Sequence, residues 1–322
     1  MSMVARRTAL SVVAAVQCRI FERSSAMAEE LKVLLEEVGP WEWPRDLDHR
    51  LLAILRDKNR TADPAERLIA VQMAGDMTQI NDPLSGALLA IVENAAESEE
   101  MRAKAAISFG AVLEQTDLDG FDDPYDEPLI SEPMFERIKR TLKTIFLDAS
   151  VPKLTRRRIL EGSIRAPEEW HTEEIRKAYA SDDPAWKVTA VFCMNYVRGF
   201  DKEILESLES EDEMIHYQAV RAAGSYEVDD AWPHIAELAR SENTEKELRI
   251  AAIEALSTLK PQDSLKILHE LSDHEDEDIA DAADEARTMA VGFLDDGDDD
   301  DEDDEDDADY DDSFGEKPDP LK

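Results

Sequence analysis

The sequence predicts an all-α protein, a right-handed α–α superhelix built from stacked pairs of antiparallel helices. Glycine is scarce, with 11 residues among 322, and aromatic residues make up only 6%. Alanine, leucine and glutamate recur throughout, which is typical of a chain that is helical nearly everywhere. One helical pattern also repeats along the chain, and the sequence lacks the β-branched runs with glycine turns that would indicate a sheet.

The repeated pattern begins at a position that we call the anchor of each repeat. Successive anchors are 29 to 35 residues apart, except for one interval of 54 residues. The anchors are Glu66, Met101, Thr155, Trp186, Ile215, Leu248 and Ile279. A helix pair of about 30 residues cannot bury its apolar faces alone, so neighbouring pairs are expected to stack on one another.

A small residue usually stands four positions after the anchor. Positions 0, +4 and +7 share one face of a helix, and small side chains there let neighbouring helices approach closely. We therefore predict that the +4 residues form the structural core of the repeats. These residues are Ala70, Ala105, Ile159, Ala190, Ala219, Ala252 and Ala283.

A charged pattern accompanies the anchors. A base often follows the anchor, as at Arg67 and Arg249, and an acid often stands three residues before it, as at Asp63 and Glu245. An acid in the first turn favours the helix N-terminus, and the base completes an i, i+4 pair. We interpret each pair as a solvent-exposed brace worth a few tenths of a kcal/mol. A row of arginines presented to a ligand is the alternative.

The composition divides the chain into four parts. Residues 1–26 are basic and are expected to be disordered or an over-extended start, and residues 27–62 form an N-terminal helical cap. The repeats occupy residues 63–294, interrupted by an insertion loop at 117–133 that is rich in Asp, Gly and Pro. Residues 295–322 hold 17 acidic residues and two lysines, so they are predicted to form a disordered acidic tail.

Two tryptophans precede the first repeat, within the segment Gly39 to Pro44. Trp41 and Trp43 are predicted to cover the end of the helical core. Anchoring a binding partner is the alternative role.

The clearest repeat is Leu248-Arg-Ile-Ala-Ala-Ile-Glu-Ala-Leu256, followed by a turn and the helix Leu265 to Leu271. It resembles the short bacterial HEAT-like repeats that also occur in phycobilin lyases. The resemblance covers about residues 47 to 294 and implies an armadillo-like helical solenoid. It specifies an activity poorly, because one fold hosts many functions.

No catalytic, cofactor-binding or metal-binding residue is predicted. Diiron hydroxylases of this architecture carry paired His-Glu steps in several anchor helices, whereas here His269-Glu270 and His274-Glu275 fall in a single repeat. Cys18 and Cys193 are far apart and form no metal-binding spacing. The sequence therefore indicates a protein that is not an enzyme, with a phycobilin-lyase-like enzyme as an alternative.

A basic segment stands out in this acidic chain, whose net charge is −40. Residues 137–165 carry a net charge of +7. The predicted interaction patch within it consists of Arg137, Lys139, Arg140, Lys143, Arg156, Arg157 and Arg158. Two interpretations stay open: a solvated face that relieves repulsion, or a binding surface for phosphate, RNA, an acidic protein or the chain's own tail.

These observations favour a cytoplasmic scaffold or adaptor whose repeat surface binds protein partners. The tail carries −15 and would steer basic partners towards the protein, while the acidic body disfavours nucleic acid except at the basic patch of residues 137–165. An assembly chaperone or nucleic-acid mimic for basic proteins is an alternative function. No segment is predicted to cross a membrane.

Overall fold

A computed structural model describes residues 28–57, 63–122, 125 and 127–298 of the chain. The N-terminal segment predicted at 1–26 and the part of the predicted tail beyond Asp298 lie outside these residues. Within the described residues, every regular element is a helix, which confirms the predicted all-α class. None of these helices is long and apolar enough to cross a membrane.

The helices form two compact units, of which the first ends at Phe200 and the second begins at Asp201. Unit 1 contains α1 (28–37), α2 (Leu47–Leu55), α3 (Pro64–Ala74), α4 (Asp82–Glu93), α5 (Glu99–Ile107), α6 (Gly110–Asp119), α7 (Glu132–Leu147), α8 (Lys153–Ser163), α9 (Glu169–Tyr179) and α10 (Pro184–Cys193). Unit 2 contains α11 (Asp201–Leu208), α12 (Glu213–Ser225), α13 (Trp232–Arg240), α14 (Lys246–Ala255), α15 (Pro261–Leu271) and α16 (Glu277–Asp298). Short 3₁₀ turns lie at Pro40–Glu42 and Asp229–Ala231.

Each unit has two layers of helices. The anchors lie in α3, α5, α8 and α10 of unit 1, and these helices pack one against the next. The same holds for α12, α14 and α16 in unit 2, while α13 packs on α15 in the second layer. The seven predicted core residues are all 0% exposed: Ala70, Ala105, Ile159, Ala190, Ala219, Ala252 and Ala283.

Successive anchor helices approach so closely that glycine is required where they touch, as at Gly162 and Gly224. A Cβ on Gly162 of α8 would lie 2.7 Å from the carbonyl oxygen of Ala106 in α5. A Cβ on Gly224 of α12 would lie 2.8 Å from the Cβ of Ala255 in α14. The backbones are therefore in contact, because only small side chains separate the two helices.

Acidic side chains begin several of the anchor helices. The carboxylate of Asp63 accepts a hydrogen bond from the backbone N–H of Ala65, and Asp212 accepts from Met214 and Ile215. These contacts satisfy N–H groups that the first helical turn leaves unpaired. The acids three residues before the anchors are therefore N-caps.

The bases after the anchors differ from the expected exposed braces. Arg102 and Arg249 are 6% and 4% exposed. Their Nε atoms donate to the carbonyl oxygens of Val92 and Ala239, at 2.9 Å in both cases. Each carbonyl belongs to the second-last residue of the preceding helix, α4 or α13. The arginine therefore satisfies an unpaired group at a helix C-terminus, and we call this contact the arginine brace.

The long interval between anchors contains a helix as well as a loop. The expected loop at 117–133 begins too early, because α6 continues to Asp119, and it ends too late, because α7 begins at Glu132. Val112, Leu113 and Thr116 of α6 are buried, and α6 packs on α8. The acidic residues at its end are the exposed last turn of a helix. The helix α7 then takes the second-layer position, where it contacts α4.

Candidate functional site

The predicted interaction patch lies on two consecutive helices that pack against each other. Four of its residues belong to α7 and three belong to α8. The α7 residues are Arg137, Lys139, Arg140 and Lys143, and the α8 residues are Arg156, Arg157 and Arg158. The two groups have different surroundings, so the patch is not one uniform surface.

Arg156 is held by the interior of unit 1. It repeats the arginine brace, since its Nε donates to the carbonyl oxygen of Phe146 at 2.7 Å. Its guanidinium lies 5.2 Å from the ring centroid of Phe146 and 5.6 Å from that of Trp186. Contacts on this scale include a favourable cation–π attraction. Arg156 therefore joins the end of α7 to α8 and α10, and its charge is only partly available to a ligand.

Arg157 and Arg158 converge on a buried carboxylate. Glu161 is 4% exposed, its Oε1 lies 3.7 Å from the Arg157 guanidinium, and its Oε2 forms an ion pair with Arg158. Thr189 of α10 donates its hydroxyl to Glu161 at 2.6 Å and accepts from the Nε of Arg157 at 2.8 Å. A buried carboxylate is tolerated only with such partners. The two arginines therefore neutralise an internal charge.

The outer side of α7 presents two of the remaining cations to solvent. Its apolar side is regular, with Phe135, Ile138, Leu142 and Phe146 buried at spacings of three and four residues. Arg137 and Arg140 are exposed on the opposite side. Among the residues that the structure describes, neither guanidinium makes an ion pair or a side-chain hydrogen bond.

Two lysines of α7 are placed by aromatic rings. The Nζ of Lys139 lies 4.8 Å from the ring centroid of Phe135 and 3.4 Å from the Glu136 carboxylate. The Nζ of Lys143 lies 5.9 Å from the ring centroid of Trp170 in α9. We call Arg137, Lys139, Arg140 and Lys143 the α7 cationic face. Its ammonium groups lose less side-chain freedom on binding because the rings already restrict them.

A buried serine–histidine pair lies near this face, between α8 and α9. The Nε2 of His171 is 2.9 Å from the Ser163 hydroxyl, and its Nδ1 accepts the backbone N–H of Glu168 at 2.9 Å. The ring proton is therefore on Nε2, which donates to the serine, so His171 cannot act as a base towards Ser163. Burial lowers the pKa of His171 to about 4. The pair stabilises the start of α9.

The other cysteine and histidine side chains of interest do not form a reactive or metal-binding cluster in the described residues. Cys193 is buried, and burial raises the pKa of its thiol well above the usual value. His269 is exposed on α15, whereas the Nε2 of His274 lies 3.4 Å from Glu242. In the parts of the chain that the structure describes, no three or more His, Cys, Asp or Glu side chains are grouped to hold a metal ion.

The two N-terminal tryptophans have different environments, although both were predicted to cover the core. Trp43 is 8% exposed, and its indole N–H donates to the carbonyl oxygens of Leu34 and Val38 at the end of α1. Trp41 is 81% exposed. The prediction fits Trp43 and is wrong for Trp41, because the 3₁₀ turn at Pro40–Glu42 directs the first indole outwards.

Sequence reasoning missed one histidine pair. His216 of α12 and His234 of α13 meet with 3.0 Å between their Nε2 atoms. The available signal was that His216 takes the position occupied by arginine or lysine in five other repeats.

These features define a protein of stacked helix pairs with charged surface faces. Residues 202–286 match the family model described as HEAT repeats, and this match confirms the predicted HEAT-repeat architecture. Such repeats commonly provide protein-binding surfaces.

One solved structure resembles the chain over most of its length. It is human deoxyhypusine hydroxylase in complex with glycerol, with 14% identity over 85% of this chain and 98% of that chain, and a TM-score of 0.36. A likeness this distant carries no argument about function. No curated protein matches the chain.

Proposed function

We propose that this protein is a non-catalytic scaffold whose α7 cationic face binds an acidic segment of a partner protein. The observation that carries the proposal is the pair of exposed arginines, Arg137 and Arg140, which make no ion pair within the described residues. Carboxylates are abundant in a chain of net charge −40, so exposed cations without such a partner need another explanation. Binding of an acidic peptide explains why these arginines remain exposed and unpaired with the carboxylates of the described residues.

The geometry of α7 supports an extended acidic ligand. Arg137 and Arg140 are three residues apart and Lys139 and Lys143 are four apart, so each pair occupies adjacent turns of one side. Guanidinium groups bind carboxylates through two parallel hydrogen bonds, which gives the arginines the larger part in recognition. The lysines add charge near the same surface.

A titration with a fluorescein-labelled poly-glutamate peptide tests the proposal. The variant Arg137→Glu/Arg140→Glu is compared with Lys202→Glu/Lys266→Glu, because Lys202 and Lys266 are each 83% exposed and the change in net charge is the same. We expect the α7 variant to lose binding and the control to keep it at moderate salt. Equal losses in both variants, or no binding to the wild type, contradict the proposal.

A second function is favoured by the net charge itself. A chain of charge −40 attracts basic proteins, and residues 299–322 carry −12 of that charge. We infer that capture of basic proteins is the alternative role. Adding poly-lysine to the same titration distinguishes the two functions. Binding that depends on residues 299–322 and ignores Arg137 and Arg140 favours capture of basic proteins.

A further inference from the structure

The repeat pattern breaks at one position in unit 2. In most repeats a base follows the anchor. In three of them this base is an arginine that forms the arginine brace, in which its Nε donates to a carbonyl oxygen in the last turn of the preceding helix. At the equivalent position of α12 stands His216. Its side chain is directed at the first turn of α13, where it meets His234. A residue that departs from a repeated structural pattern is expected to have a role other than the repeated structural one.

The two imidazoles meet through their Nε2 atoms. These atoms are 3.0 Å apart, the ring centroids are 5.2 Å apart, and the ring planes are inclined by 59°. Without another ligand, one Nε2–H must donate to the other nitrogen, so at least one ring exposes a lone pair to its neighbour. Both side chains are partly open to solvent, and that of His234 is 33% exposed.

We propose that His216 and His234 bind one divalent transition-metal ion through their Nε2 atoms. A metal–nitrogen bond is about 2.0–2.1 Å long, so two imidazole nitrogens on one ion are about 2.9 Å apart at a right angle and about 3.4 Å apart at a tetrahedral angle. The observed 3.0 Å lies in this range. Metal entry therefore requires loss of the hydrogen bond and a turn of the two rings, so that both Nε2 atoms face one ion.

A carboxylate lies near the other ring nitrogen of His234. The Oε1 atom of Glu209 is 3.9 Å from Nδ1 of His234, beyond hydrogen-bond distance, and the Glu209 side chain is 80% exposed. Its negative charge adds to the attraction of a cation towards the two histidines.

The ligand set selects the class of ion. Imidazole nitrogen favours zinc, nickel and copper, whereas magnesium and calcium prefer oxygen ligands. The described part of the chain holds no group of three metal-binding side chains, so water completes the coordination here. Affinity should follow the general order for nitrogen sites, with copper above nickel and nickel above manganese.

The charge of the chain favours cation binding at this site. A chain of net charge −40 concentrates cations near its surface.

Metal titration of the full chain tests the inference. Zinc binding is measured calorimetrically for the wild type, His216→Gln, His234→Gln and the control His269→Gln, whose histidine is exposed on α15. We expect each pair variant to bind one fewer ion than the wild type, and the control to match the wild type. Unchanged stoichiometry in both pair variants overturns the inference.

A spectroscopic measurement keeps the test independent of variant folding. Carboxylates elsewhere in the acidic chain also bind copper, but they supply only oxygen ligands. Electron paramagnetic resonance of the wild type with one equivalent of Cu²⁺ should show hyperfine coupling to two imidazole nitrogens. A spectrum with oxygen ligands alone contradicts the proposed site.

Discussion

Arg102, Arg156 and Arg249 occupy the same position in three repeats and bind the same kind of group. Each donates its Nε to a carbonyl oxygen ten residues earlier, in the last turn of the preceding helix. A helix leaves its final carbonyl groups without partners, and burying one unpaired costs about 1–3 kcal/mol. The arginine removes that cost and links the end of one helix to the start of the next anchor helix. The other guanidinium nitrogens make different contacts in different repeats. In Arg249 they form an ion pair with Glu242.

His171 makes the stability of the protein depend on pH. Burial lowers its pKa from 6.5 to about 4, so the folded state favours the neutral ring. This stabilising contribution is complete above pH 6.5 and is lost as the pH falls towards 4, where the unfolded chain binds a proton that the folded chain resists. At about 1.36 kcal/mol per pKa unit, the loss amounts to about 3 kcal/mol.

Urea unfolding of the wild type and of His171→Gln checks this expectation. The free energy of unfolding should fall more steeply between neutral pH and about pH 4 in the wild type than in the variant, since glutamine does not titrate. The comparison cancels the titration of the many carboxylates that both proteins share. Parallel pH profiles would show that folding does not lower the pKa of His171.

At the scale of helices, the contact of α5 with α8 depends on a missing side chain. Gly162→Ala would place a methyl group 2.7 Å from the Ala106 carbonyl oxygen, and neither backbone can move without shifting its helix. We expect a loss of about 1–3 kcal/mol of stability, as for other overpacked cores. Gly292→Ala in α16 is the matched control, because nothing lies within 4 Å of its added Cβ.

The control should change stability in the opposite direction. Alanine favours a helix interior over glycine by about 0.5–1 kcal/mol, so Gly292→Ala is expected to stabilise the protein. Chemical denaturation measures the change in the free energy of unfolding for each of the two variants. If Gly162→Ala is neutral or stabilising, α5 and α8 are further apart than the structure shows.

The spacing of small residues made the helix packing predictable. The order of the helices after α5 could not be predicted from the sequence. Ala105 and Ala252 recur at a fixed distance from their anchors, and this regularity indicates which face is buried. The start of α6 carries no such signal. The chain turns at Ser108 and Phe109, and of these two only Ser108 is a common turn residue. The burial of Phe109 sets this turn, and burial depends on neighbours distant in sequence.

The candidate interaction surface was predictable in composition but not in detail. The sequence shows a cluster of bases, yet it does not show which of them contact carboxylates from other helices. Arg157 is held by Thr189, which lies 32 residues away. Arg140, on the neighbouring helix, remains exposed. The contact between His216 and His234 likewise depends on the packing of α12 against α13, which residue spacing alone does not provide.

For the whole molecule, charge repulsion opposes folding more than ion pairs favour it. The net charge is −40, while many of the ion pairs join exposed side chains, such as Lys202 with Glu206 and Lys266 with Glu270. Exposed pairs contribute about 0–1 kcal/mol each. Unbalanced carboxylates repel one another throughout the compact state, and this repulsion decreases as salt shortens the screening length.

We therefore expect the melting temperature to rise with added sodium chloride. Screening lengths shorten from about 30 Å at 0.01 M salt to about 10 Å at 0.1 M, so repulsion between distant carboxylates is lost first. Contacts at direct ion-pair distance, such as the 3.0 Å pair of Arg67 with Glu97, are partly buried and are weakened less. Thermal unfolding followed by circular dichroism at these two salt concentrations shows whether carboxylate repulsion or local ion pairing has the larger effect on stability. A melting temperature that falls with salt would mean that the local ion pairs outweigh the net charge.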